Sequence, residues 1–487
     1  MTKQKAAAAG LWSALDIVLR QGVQFVVTIV LARLLTPEDF GIIALMGFFT
    51  ALSIAFAQSG LTMGLVQRQD TSREEESAVF WWNLAIALIF STILVAAGPA
   101  LAAFYGHPIL ASLMWIAAAQ IILSALGAVQ TALLTRDLRF DQLTRVGIVS
   151  SVLAGGAGIG VAVMGGGIWA LAAQSVAASA VGSAGMWLAS PWRPSAHWHF
   201  RTGGSVFKFG TWVSLGNLLE VLYTQGSALL IGKLYGVRDL GFYNRAASTQ
   251  WLPSAILGQI VGRIALPLFA ARAAEPDALR RGLRMAIGLA MMLNLPAMVA
   301  LAILSPEVIL VLFGAKWLPA APILSILAIS GIFLPLHAIN LQMVLAQGNT
   351  RIFLRNEIAK KTIGVGCMLV GSLFGIVGLA YSQIAYSLLA VIVNTRPSHV
   401  SLGYGLTRQL RDLSGLFLAT LAMAAGLILL KATVDLDPLP MLAVCTAAGG
   451  LLYLLTGLAL RSASFTDALS LLPLPRFRPA PSGGEGT

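Results

Sequence analysis

Five charged side chains fall inside otherwise apolar stretches of the chain, and their spacing suggests chemistry. Asp16 and Arg20 stand four residues apart. Glu220 has Asn217 three residues before it and Tyr223 three after, while Arg245 and Arg263 flank Gln250 and Trp251. Each such charge costs about 2.5–3.5 kcal/mol at the centre of a membrane helix on the insertion scale, and so needs a partner or a wet cavity. Three arginines against two carboxylates make a net basic set. Guanidinium forks match phosphate oxygens bidentately, so the set suits an anionic head group that carries phosphate. Glu220 has no basic residue at helical spacing; a salt bridge to an arginine of the first or eighth helix is the leading reading, with proton or cation binding as the other. Plainer roles stand beside these. Asp16–Arg20 would neutralise itself as an i,i+4 pair, Arg263 would snorkel to a membrane face, and Arg245 would anchor an interface.

The elements that must hold these residues are apolar helices. The 487 residues are 57% hydrophobic and only 11% charged, with mean hydropathy +0.82, against roughly 25% charged in soluble proteins. Residues 40–67, 79–135, 146–192, 285–306, 317–350, 362–395 and 438–460 contain no Asp, Glu, Lys or Arg. A span takes about 20 apolar residues, and no segment alternates like a barrel strand. The pattern predicts an all-α polytopic membrane protein of about 14 helices. They lie near 8–33, 40–65, 78–103, 109–134, 145–164, 168–189, 206–232, 241–268, 283–304, 320–346, 353–374, 377–395, 413–431 and 438–460. Met1 to Lys5 before an apolar run mimics a signal peptide, but Asp16 and Arg20 interrupt the run, which favours an uncleaved first helix. Of the 32 Lys and Arg, about 24 fall in alternate loops on the side of the N-terminus and 5 on the other. That bias puts both termini in the cytoplasm. It also accounts for the net charge of +12 without nucleic acid.

The chain repeats itself at an offset of about 200. Arg33, Leu34, Asp39 and Gly41 align with Lys233, Leu234, Asp239 and Gly241, and Gln130–Arg136 echoes Gln342–Gly348 more weakly. Two lobes of six helices follow, residues 1–190 and 205–396, joined by a cytoplasmic linker, 191–204. Helices 13 and 14 (397–462) are an appendage, and 463–487, rich in Pro and Gly, is a disordered tail. Two such lobes around a cleft is a common transporter plan. External loops are short, at Phe104–Pro108, 165–167 and Gly375–Gly378, too short for the catalytic loop of a membrane polymerase or glycosyltransferase. No phosphate-binding glycine loop, catalytic triad or metal-ligand cluster is present: Cys367 and Cys445 lie in apolar segments, and His197 and His199 have no cysteines nearby. The expectation is a transporter with no enzymatic activity, no cofactor and no metal. Pro253, Pro267, Pro296 and Pro335 interrupt helices 8 to 10 as hinges or as tolerated kinks.

Several ordered motifs resemble the polysaccharide-transporter branch of the multidrug/oligosaccharidyl-lipid/polysaccharide exporter superfamily, which includes the Wzx-type flippases. They are Leu34-Leu-Thr-Pro-Glu-Asp-Phe-Gly-Ile, Gln58-Ser-Gly-Leu with Val66-Gln-Arg68, and Gly241-Phe-Tyr-Asn-Arg-Ala246 with Pro253 and Leu266-Pro267. Phe313-Gly-Ala-Lys-Trp317 and Ala321-Pro-Ile-Leu-Ser-Ile-Leu327 complete the set. The resemblance implies a V-shaped pair of lobes with a cationic central cavity in the bacterial inner membrane. It also implies translocation of undecaprenyl-pyrophosphate-linked oligosaccharide to the periplasmic leaflet for exopolysaccharide, capsule or O-antigen export. Of the charged residues only Arg245 lies in a family motif; Arg20, Arg263, Asp16 and Glu220, with Asn217, Tyr223 and Gln250, rest on the charge pattern alone. Membrane lipids, a polymerase or co-polymerase of the same pathway, and a coupling proton or cation are the further partners to consider. A drug/cation antiporter of the same superfamily is the main alternative, and it predicts a net acidic cavity.

Overall fold

The computed structural model describes residues 21–68, 71–195, 204–270 and 275–460, without the side chains of 56–61, 204–217, 219, 254–268, 270 and 350. Described residues are almost entirely helical and include no strand. Asp16, Arg20, the His197–His199 pair and the tail from 463 onward lie outside them.

The first unit comprises Met1–Leu252, Leu304–Leu327 and Lys361–Tyr386. It opens with α1 (Gln21–Leu34) and α2 (Pro37–Gln67). Thr36 starts α2 with a capping box: its Oγ1 accepts from the Asp39 N–H, and the Asp39 carboxylate accepts from the Thr36 N–H at 2.9 Å. Ser72 and Glu75 repeat that device at the head of α3 (Arg73–Tyr105), which ends where Gly106 turns left-handed at φ 74°. The helices α4 (Ile109–Arg136), α5 (Phe140–Val163) and α6 (Trp169–Ala189) follow. Beyond α6 the chain docks back on α3: Ser77 Oγ accepts from the Ser195 N–H, and Trp81 Nε1 donates to the Ser195 carbonyl, both at 3.0 Å. Next come α7 (Gly204–Leu234) and α8 (Val237–Ala270), α8 belonging to this unit as far as Leu252.

The internal repeat is realised as a reciprocal crossing of α2 and α8. A Cβ on Gly41 would lie 1.7 Å from the Val237 carbonyl oxygen, and one on Gly241 would lie 2.0 Å from the Pro37 carbonyl oxygen. Pro37 and Val237 are themselves repeat equivalents, so the contact is self-complementary, as at a two-fold axis. The basic residues before the two helices cap partners in the same alternating way. Arg33 donates to the carbonyls of Val311 and Leu312 at the end of α10 (Ser305–Phe313), whereas Lys233 donates to the Phe104 carbonyl at the end of α3, 2.5 Å away. A cation at a helix C-terminus meets the negative end of the dipole.

The second unit comprises Pro253–Ile303, Ala328–Lys360 and Ser387–Thr487. Here α9 (Pro276–Ile303) packs on α12 (Leu334–Ala346) and on α16 (Ser414–Thr433), and α16 pairs with α17 (Pro438–Ala459). The single helix expected over 320–346 is two, α11 (Ala320–Gly331) and α12. Pro335 is the cause: its ring displaces the carbonyl four residues back, Gly331. Asn294 Nδ2 donates to the freed carbonyls of Gly331 and Ile332, each at 3.0 Å, so the break is satisfied without water. Pro296, by contrast, leaves α9 continuous. The helices α13 (Thr350–Gly371) and α14 (Gly375–Leu402) meet at a tight turn, and α15 (Leu406–Asp412) leads into α16. There Asp412 accepts from Arg284 Nε at 3.1 Å and from the Tyr404 hydroxyl at 2.8 Å; burial first, then this bond, holds the Tyr404 phenol above its ordinary range.

Among the described residues nine helical stretches are long and apolar enough to cross a membrane. They establish a multi-pass membrane protein but not the count of 14. One run, 351–402, holds both α13 and α14, and the nine are counted among the described residues alone, which cover only parts of α7 and α8. Leu418, Leu421, Ile428 and Leu429 on α16 are more than half exposed, a face suited to lipid and not to water.

Candidate functional site

A cavity of about 570 Å³ opens within the first unit. From α1 come Gln21, Gln24, Phe25 and Thr28, whose spacing of three and four residues puts them on one helical face. From α8 come Asn244, Arg245, Ser248 and Thr249, again on one face, with Ser151 of α5 and Gln174 of α6 opposite. Small residues let these helices close in: Gly155 of α5 accommodates Val27 of α1, and Gly158 accommodates Gln174. Ser248 Oγ donates to the Asn244 carbonyl at 2.7 Å and Thr249 Oγ1 to the Arg245 carbonyl at 2.8 Å. With their protons spent on the helix, both hydroxyl oxygens remain as acceptors.

Arg245 is the charged side chain among the described lining residues, and it is 5% exposed. Its guanidinium lies over three aromatic rings, 4.4 Å from Phe40, 5.1 Å from Phe313 and 5.5 Å from Trp317. Trp317 is itself fixed, donating from Nε1 to the Ala32 carbonyl at 2.8 Å. Its neighbour Lys316, whose ammonium burial lowers while Asp39 acts in the opposite sense, donates to the Arg33 carbonyl at 2.8 Å. Ring faces stabilise the cation electrostatically but accept little hydrogen bonding, and Arg245 Nε has no hydrogen-bond partner. No carboxylate is among the described lining residues. Such a site offers charged N–H donors to an anion, and amides and hydroxyl oxygens to a polyhydroxylated group.

Of the residues singled out from the sequence, Arg245 alone lies among the described lining residues. Gln250 is buried and is not one of them. Asn217 on α7 and Arg263 on α8 have side chains outside the description, as are Asp16 and Arg20 altogether. Glu220 and Tyr223 form a separate cluster. The expected arginine partner of Glu220 gives way to Lys361, 2.8 Å away, because α13 brings that lysine alongside α7. Tyr223 packs on Tyr386, with ring centroids 5.8 Å apart, over the bare backbone of Gly364. Reversing one member of the ion pair, Glu220→Lys or Lys361→Glu, is expected to lower the yield of folded protein in fluorescence-detected size exclusion, and exchanging both to restore it. A double exchange no better than the single ones would show that the pairing carries no weight. The amides and hydroxyls of the cavity escape a search for charge; the signal that finds them is the helical spacing of Gln21, Gln24 and Thr28.

Residues 30–322, more than half of the chain, match the family model described as "Polysaccharide biosynthesis protein". The chain belongs to that family. The match bears out the resemblance read from the motifs, four of which lie wholly inside it. The chain is 26% identical to the teichuronic acid biosynthesis protein TuaB of Bacillus subtilis (strain 168), over 93% of this chain and 95% of the relative. It is 24% identical to the lipopolysaccharide biosynthesis protein WzxC of Escherichia coli (strain K12), over 81% and 82%. With the succinoglycan biosynthesis transport protein ExoT of Rhizobium meliloti (strain 1021) identity is 29%, over 66% of each. The fold of this family member is that of the lipid II flippase MurJ in an inward closed conformation, with TM-score 0.73 and 16% identity over 92% of this chain and 97% of that one. An inward-facing multidrug transporter of the MATE family shares it at TM-score 0.63 and 15% identity, over 79% and 98%.

Proposed function

We propose that this chain is a flippase for undecaprenyl-pyrophosphate-linked oligosaccharide repeat units, moving them from the cytoplasmic to the periplasmic leaflet of the bacterial inner membrane without chemistry on the substrate. The observation that carries this reading is Arg245: a desolvated guanidinium with an unpartnered Nε, in a cavity of amides and hydroxyls with no carboxylate among its described lining. An anion entering there meets a cation that has already lost its water, so the cation adds no further desolvation cost to the one that the anion brings. Pyrophosphate fits the charged fork, and saccharide hydroxyls fit the amides of Gln21, Gln24, Gln174 and Asn244. Arg20 and Arg263 add to the cationic set. Neutralising the phosphates lowers the cost of carrying them through hydrocarbon, while the polyprenyl tail stays in lipid. Rocking of the two lobes, 1–190 and 205–396, would expose the head group to one leaflet and then the other. Both termini are cytoplasmic in this scheme. Relatives named for polysaccharide biosynthesis and transport support the substrate class.

In a strain that lacks the protein, lipid-linked oligosaccharide is expected to accumulate in the cytoplasmic leaflet, and the restored wild-type chain to clear it. Normal lipid-linked levels together with new sensitivity to cationic drugs would replace the proposal with antiport. Accumulation in the periplasmic leaflet would put the defect after translocation and point to polymerisation.

A further inference from the structure

His337 of α12 lies two residues beyond Pro335, in the second unit and outside the cavity described above. Both ring nitrogens are engaged: Nε2 lies 3.3 Å from Ser387 Oγ, and Nδ1 lies 3.4 Å from Asn394 Nδ2, both partners being on α14. The single hydroxyl proton of Ser387 is committed to the Ser330 carbonyl at 2.8 Å. Ser387 is therefore an acceptor toward the ring, so Nε2 carries the hydrogen and Nδ1 accepts from the Asn394 amide. Asn394 is 2% exposed, and its Oδ1 has no hydrogen-bond partner. Beside the unprotonated nitrogen of a part-buried imidazole stands an orphaned acceptor, one amide rotation away.

We propose that His337 is the proton-binding site of the second unit. A proton from water adds to Nδ1 and gives an imidazolium. The Asn394 amide turns about its Cβ–Cγ bond so that Oδ1 accepts the new N–H, while Nε2–H continues to donate to Ser387. The orphaned oxygen gains its partner in the protonated state, and the amide donor loses one, so the two states differ at α14. Ser387 ties the ring to the Ser330 carbonyl, and Asn294 holds the next two carbonyls. The proton thus acts at the discontinuity of the α11–α12 span, where membrane helices deform most cheaply. Among the described residues Lys360 of α13 is a charged group that acts on the ring across space, and it is ion-paired to Glu357 at 2.5 Å. As the coupling device of transport, His337 rests on the flippase reading; as a proton site it does not.

The test is histidine-resolved NMR of the full chain in lipid nanodiscs, with His107, His197, His199 and His399 replaced by Gln. At alkaline pH the ring is expected in the Nε2–H form, taking its second proton at Nδ1 on acidification. Asn394→Leu should weaken proton binding about tenfold, the effect of one pKa unit, and Asn394→Asp should strengthen it. These opposite movements separate acceptor chemistry from simple damage to packing. An Nδ1–H ring at alkaline pH, or a midpoint indifferent to both substitutions, would overturn the site. In parallel, His337→Gln in reconstituted vesicles should translocate lipid-linked oligosaccharide with the pH dependence of the wild type removed. If His337→Gln keeps that dependence, the coupling role is overturned. If wild-type vesicles do not translocate at all, the flippase reading fails while the titration still decides the proton site.

Discussion

Arg245→Ala is expected to abolish polysaccharide export, and Arg245→Lys to recover little of it. The guanidinium is the described cation of the cavity and stands 4.4 Å from the Phe40 ring, with Phe313 and Trp317 beside it. A hydrogen bond to a charged group contributes roughly 1.5–3 kcal/mol, and about 1.4 kcal/mol is a factor of ten. Losing one phosphate contact thus costs about ten- to a hundredfold in binding, and losing a bidentate pair costs more. Lysine keeps the charge but not the planar fork, and its compact, strongly hydrated ammonium stacks poorly on three rings. Cellular polysaccharide and the leaflet distribution of its lipid-linked precursor are the readouts, with size exclusion to confirm that each variant folds. Wild-type export by Arg245→Ala would remove the cationic site from the account.

Gly41→Ala and Gly241→Ala should each reduce folded protein more than any other glycine-to-alanine change in the α2–α8 region. The obstacles at 1.7 and 2.0 Å are backbone oxygens, Val237 O and Pro37 O, which no rotamer change can move. Relief would require pulling α2 away from α8, and with them the two basic caps formed by Arg33 and Lys233. We expect a loss of about 4 kcal/mol or more, the range reserved for specific structural lesions. Gly47→Ala on the same helix α2 is the control: nothing lies within 4 Å of its added Cβ, and helix propensity alone favours alanine by about 1 kcal/mol. Thermal unfolding followed by size exclusion should rank the control at or above wild type and the two crossing variants far below it. Equal midpoints for all three would mean that the crossing does not hold the unit together.

These outcomes depend on features that differed in how far they could be read from the chain. The repeat was legible, because Leu34, Asp39 and Gly41 recur at 234, 239 and 241 and the basic Arg33 has its counterpart in Lys233. Its reciprocal packing was not: alignment shows that two segments are alike, not that each rests on the other's backbone. Pro335 was visible as an interruption, but whether a proline breaks a membrane helix depends on who takes the freed carbonyl. Asn294 does so from 37 residues away, and no local pattern announces it. Lys361 follows Arg351, Arg355 and Lys360 and counts with them toward the cytoplasmic side, although the helix expected over 353–374 contains it. That it reaches Glu220 depends on which helix packs on α7, which the local sequence does not tell. In the cavity, Arg245 stood out because charge is costly in hydrocarbon. Gln24, Gln174 and Asn244 did not, because a search for Asp, Glu, Lys and Arg inside apolar stretches passes over uncharged amides.

The central claim is that a cationic, amide-lined cavity carries a pyrophosphate-linked saccharide across the bilayer. Its most direct test is translocation in vesicles that contain only the purified protein and undecaprenyl-pyrophosphate-linked oligosaccharide. Accessibility of the sugar to an impermeant lectin or glycosidase reports the leaflet. Wild-type vesicles are expected to expose inner-leaflet substrate with time, and Arg245→Ala vesicles to remain at the protein-free rate despite normal incorporation. Equal rates for wild type and Arg245→Ala, or none above protein-free vesicles at any pH or ion gradient, would contradict the account.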